Sequence, residues 1–65
     1  MLQSLSSLRV NKKFSQAELA KVVGVSQQAV SQWENKQKTP KAIYVRKLAR
    51  ALGVSTDVIL DSIDS

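Results

Sequence analysis

Two short amphipathic helices joined by only three residues constrain this chain more than any other feature. From Ser15 to Glu34 it reads SQAELAKVVGVSQQAVSQWE. Ser15 and Glu18 have the spacing of a capping box, in which the serine hydroxyl accepts an early backbone N–H and the glutamate reaches back. Ala17, Leu19, Ala20, Val22 and Val23 supply the apolar positions of the helix that follows. Gly24 stops it in a left-handed conformation, Val25 plugs into the core, and Ser26 caps the next helix. With Gly24, Val25 and Ser26 as the whole connection, the two helices must cross steeply rather than lie antiparallel.

That crossing is the geometry of a helix-turn-helix, and its second helix has two unlike faces. Residues three and four apart share a face, which collects Gln27, Gln28, Ser31, Gln32 and Asn35, all polar and uncharged. The opposite side carries Ala29, Val30 and Trp33 and should face a core. A glutamine amide holds a donor and an acceptor and can pair bidentately with adenine N6 and N7 in the DNA major groove. Glutamine is also a good helix former on any solvated surface. The amides therefore acquire meaning only from the helix that precedes them.

The remaining chain reads as helices, with no convincing strand. A first helix is expected from about Leu2 to Lys12, with Leu5 and Leu8 inward. Asn35 to Thr39 is a polar loop, after which Thr39 caps a fourth helix with Pro40 at its first position, where the missing N–H does no harm. That helix should run to Leu52, bury Ala42, Val45, Leu48, Ala49 and Leu52, and end at Gly53. Ser55 caps a last helix of about Thr56 to Ser62, with Asp57 at the positive end of its dipole. No repeat or linker interrupts these elements, so residues 1–65 read as a single domain.

Charge narrows the partner. The net charge is +5, and residues 1–56 hold ten Lys and Arg against Glu18 and Glu34, a balance of +8. A basic body with an acidic tail favours a polyanion, though basicity alone does not separate DNA from RNA or a membrane surface. The chain has no Cys and no His, which excludes disulfides and the usual zinc sites, so no metal and no cofactor is expected. No apolar run approaches the ~18 to 20 residues of a membrane span, and the N-terminus lacks a signal-peptide pattern. A cytoplasmic protein associated with the nucleoid is expected. Its aromatics are Phe14, Trp33 and Tyr44, too few for the serial stacking surface of a single-strand binder, and Trp33 is read as core.

The Ser15–Glu34 segment, with LR before it, WEN and a proline after it, and the closing LARALGVSTDVIL, resembles the Cro/CI-type (Xre-like, lambda-repressor-like) helix-turn-helix family over about Leu5 to Leu60. The resemblance implies an all-α, five-helix fold. It also implies that Gln27, Gln28 and Gln32 read bases, and that Gln16, at the start of the second helix, clamps the DNA backbone. Ser26, Ser31, Asn35, Lys36 and Lys38 should border the same phosphate track, while Lys12, Lys13 and Lys41 are as readily solvated surface. Family members often pair an Arg and a Glu across the domain, which implies a salt bridge between Arg9 and Glu34 that fixes the third helix against the first. Two positions depart from the family pattern. Lys13 and Lys36 stand where many members have Gly, so either each adopts a left-handed backbone at about 1 kcal/mol or the turns differ.

One recognition helix covers only a few base pairs, so a homodimer on half-sites ~34 Å apart is expected. Val54, Val58, Ile59 and Ile63 form the candidate surface, with Val58, Ile59 and Ile63 at the interface. Leu60 and one of Val58 or Ile59 are expected to complete the core instead. These readings converge on a sequence-specific double-stranded DNA-binding regulator, a repressor of phage or bacterial type on a palindromic operator. The alternative is an antitoxin or other protein-interaction module whose DNA binding is secondary. An enzyme is disfavoured, because no His, Cys or clustered carboxylates supply acid–base or nucleophilic chemistry.

Overall fold

The computed structural model describes residues 4–64, and its helices follow in chain order as α1 (Leu5–Asn11), α2 (Gln16–Val23), α3 (Gln27–Glu34), α4 (Ala42–Leu52) and α5 (Thr56–Asp64). Among the described residues there is no strand. The fold is all-α, as expected. α2 packs against both α3 and α4, α4 against α5, and α1 touches α3 and α5. The buried side chains form one cluster from Leu5, Leu8, Leu19, Ala20, Val23, Val30, Trp33, Val45, Leu48, Ala49, Leu52 and Ile59. Every helix thus contributes an apolar stripe to a shared interior.

Local chemistry explains most boundaries. The Ser4 hydroxyl accepts the Ser7 N–H at 3.1 Å and caps α1 at Leu5, where a start near Leu2 was expected. Residues 1–3, where that earlier start was placed, lie outside the described residues. The capping box of α2 is complete: Glu18 N–H donates to Ser15 Oγ at 3.0 Å, and Ser15 N–H donates to Glu18 Oε1 at 2.8 Å. Gly24 and Gly53 end α2 and α4 with φ of 87° and 68°, a left-handed region that glycine enters without a Cβ penalty.

Four sequence-based placements are corrected. Thr39 and Pro40 do not start α4. The helix begins at Ala42 with Lys41 as a cap that makes no side-chain hydrogen bond, and Pro40 is buried, so its ring packs inward instead of opening a helix. Ala42 of α4 is exposed, because only one side of that helix meets the interior. In α5 the single fully buried apolar side chain is Ile59, at 0% exposure, whereas Leu60 is 46% exposed. Ile59 therefore completes the core and is unavailable to a partner, and Leu60 is turned outward.

Candidate nucleic-acid interface

The turn between α2 and α3 is held by its own backbone. Gly24 and Val25 N–H groups both donate to the Ala20 carbonyl, at 2.8 and 2.9 Å. Ser26 Oγ then accepts the Ala29 N–H at 3.1 Å, starting α3 at Gln27. Val30 is fully buried and Trp33 nearly so, with its ring centroid 5.8 Å from that of Tyr44. With its back anchored in this way, α3 cannot roll about its axis without expelling Val30 from the core.

The opposite side is open at its start. Gln27 and Gln28 are exposed in the first turn, and Asn35 is exposed just past the last. Ser31 and Gln32, between them, are half-buried. Asn35 Nδ2 donates to Ser31 Oγ at 3.4 Å, aligning these two short polar groups. Ser26 and Lys38 are exposed beside the row.

A charged network locks this helix to α1 and α2. Arg9 Nε donates to Glu34 Oε2 at 2.6 Å and Arg9 Nη2 to Oε1 at 3.3 Å, a two-pronged pair with side chains only 14% and 6% exposed. Arg9 Nη1 also donates to the Phe14 carbonyl at 2.8 Å, a contact with no counterpart in the sequence-based reading. Gln16 Nε2 donates to Glu34 Oε1 at 2.9 Å. Gln16 is thus oriented by Glu34, and its amide retains a second N–H and a carbonyl for an external acceptor or donor.

Lys36 stands apart from the row in which it was placed. Its ammonium donates to the carbonyls of Ser62 and Ile63, at 3.1 and 3.3 Å, and so reaches α5. That contact spans 26 positions, which a short-range sequence pattern does not reveal. Both anticipated departures from glycine are left-handed, with φ of 62° at Lys13 and 60° at Lys36.

Two further exposed surfaces belong to α4 and α5. On α4, Ile43, Arg46, Lys47 and Arg50 recur at helical spacing and line a shallow depression. On α5, Val58 is 37% and Leu60 46% exposed, and Ile63 is half-buried against the core. Among the described residues no helix is long and apolar enough to cross a membrane.

Comparison with known proteins matches the chain to a family. A helix-turn-helix family model covers residues 5–59. Repressor protein C2 of Salmonella phage P22 is 38% identical over 60 residues, an alignment that takes in 92% of this chain and 28% of that repressor. This chain therefore spans little more than a quarter of that relative's length. With a glycine turn between α2 and α3 and a family match over residues 5–59, the chain belongs to the Cro/CI-type helix-turn-helix family.

Proposed function

We propose that this domain is a transcriptional repressor that binds double-stranded DNA sequence-specifically, with α3 in the major groove and two copies on a palindromic operator. The observation that carries the reading is the exposed pair Gln27 and Gln28 in the first turn of a helix whose back, Val30 and Trp33, is buried. The N-terminal residues of a recognition helix are those that reach base edges. Gln32, half-buried one turn on, extends the base-reading row. The Gln16 amide, Ser26, Ser31, Asn35 and Lys38 supply backbone contacts, which fix register without reading sequence. The repressor named among the relatives supports the regulatory sense.

Val58 and Ile63, joined by the outward Leu60, form the surface for a second copy. The single-domain reading of residues 1–65 and a cytoplasmic site of action belong to the same proposal. Binding should weaken with salt by about 0.9 in log affinity per phosphate neutralised.

The test is selection of bound fragments from a random duplex pool, followed by Gln28→Ala on the selected site. An inverted repeat is expected, with half-sites about one helical turn apart. Losing a bidentate pair should reduce discrimination by about 1 to 3 kcal/mol. A variant that keeps the parent's ratio of operator to random-duplex affinity would show that Gln28 reads no base.

A further inference from the structure

Lys36 carries backbone strain and a long-range contact at the same residue. At φ 60° it occupies a region that disfavours any side chain, and glycine would relieve it. Its ammonium meanwhile crosses to the last turn of α5, donating to the carbonyls of Ser62 at 3.1 Å and Ile63 at 3.3 Å. An ammonium held by two consecutive carbonyls of α5 steadies that turn. The backbone of the same segment is tied to α3. Lys36 N–H donates to the Trp33 carbonyl at 3.2 Å, and the Gln37 and Lys38 N–H groups converge on the Gln32 carbonyl at 2.9 and 3.3 Å. One residue therefore joins the exit of α3 to the end of α5.

We propose that Lys36 is a positioning residue, a strut coupling α5 to the recognition helix rather than a ligand of DNA phosphate. A steadier last turn of α5 holds the Lys36 side chain. That in turn holds the loop from Asn35 to Lys38, where Asn35 and Lys38 are presented. The strain at φ 60° persists because glycine would remove the strut with it. This coupling rests on the reading of α3 as the DNA-reading helix.

The test compares Lys36→Met, which keeps the stem and removes the charge, with the parent in two measurements. The first is amide hydrogen exchange of the free protein. Removing a cation from a helix C-terminus should speed exchange about two- to fivefold in the last turn of α5, and equally at Gln37 and Lys38 across the domain. The second is affinity for a 20-base-pair duplex from the selected pool, titrated with salt. A loss of about two- to fivefold is expected, with the slope of log affinity against log salt unchanged. A slope flattened by about 0.9 would make Lys36 a phosphate ligand and overturn the proposal. Unchanged exchange at Gln37 and Lys38 would overturn it as well. A parent that binds no duplex ends the DNA reading, while the exchange measurement alone still decides the strut.

Discussion

Breaking the Arg9–Glu34 pair should cost a large share of the stability of this fold. Glu34 is 6% exposed and its two oxygens accept from Arg9 Nε at 2.6 Å, Arg9 Nη2 at 3.3 Å and Gln16 Nε2 at 2.9 Å. Arg9→Ala leaves that carboxylate facing only the Gln16 amide. Glu34→Ala leaves a guanidinium, 14% exposed, with the Phe14 carbonyl. Removing one partner of a buried pair costs about 3 to 5 kcal/mol. Arg9→Ala should lie at the upper end because the group it strands is the more deeply buried. A 65-residue domain has about 3 to 10 kcal/mol in total, at about 0.05 to 0.15 per residue, so either variant loses from about a third to all of it. The double variant strands no charge and should be more stable than the two single losses imply, by a coupling of about 2 to 3 kcal/mol. Urea denaturation, followed by far-UV circular dichroism and by the fluorescence of the buried Trp33, gives all four corners of the cycle. A coupling under about 0.5 kcal/mol, the range of exposed pairs, would show that solvent reaches the network and that the pair does not lock α3 to α1.

Lys13→Gly should stabilise the fold by about 0.5 to 1 kcal/mol, the relief of left-handed strain less glycine's added freedom in the unfolded chain, and raise Tm by about 2 to 8 °C; a lower Tm by calorimetry would contradict the strain argument. Ile59→Ala should lose about 2 to 5 kcal/mol in urea because it opens a void in the core, whereas Leu60→Ala should stay within about 0.5 kcal/mol for the monomer and weaken self-association in sedimentation. Equal losses for the two would reverse their assignment. The Ser15 backbone amide, and then its hydroxyl, hold the Glu18 carboxyl below the usual carboxylate range. A depressed folded pKa means stabilisation that is full above the unfolded value and lost as pH falls through the lower folded one. Glu18→Gln should therefore lose less stability than the parent on acidification through that window, and identical acid profiles would remove Glu18 as a contributor.

What sequence alone determined here is whatever neighbouring residues decide. The capping box of Ser15 and Glu18, the stops at Gly24 and Gly53, the Ser26 cap and the division of α3 into a Val30–Trp33 back and a glutamine front all depend on contacts within about four positions, where helical geometry leaves little choice. The basic body and the lack of Cys and His are likewise composition, which no fold alters. The resemblance to other chains supplied the Arg9–Glu34 pairing across 25 positions.

Only the tertiary structure decided between residues that local pattern treats alike. Ile59 and Leu60 are adjacent and both apolar, and which one enters the core is set by the rotation of α5 against α4, a few tens of degrees that periodicity over so short a helix does not resolve. Pro40 looks like a helix start until its burial shows the loop arriving from another direction. Gln16 and Lys36 read as DNA-backbone contacts in the chain, and in the fold one is oriented by Glu34 and the other reaches α5. Long polar side chains take whichever unsatisfied partner the folded backbone brings within reach, and that partner lies 18 residues away for Gln16 and 26 for Lys36.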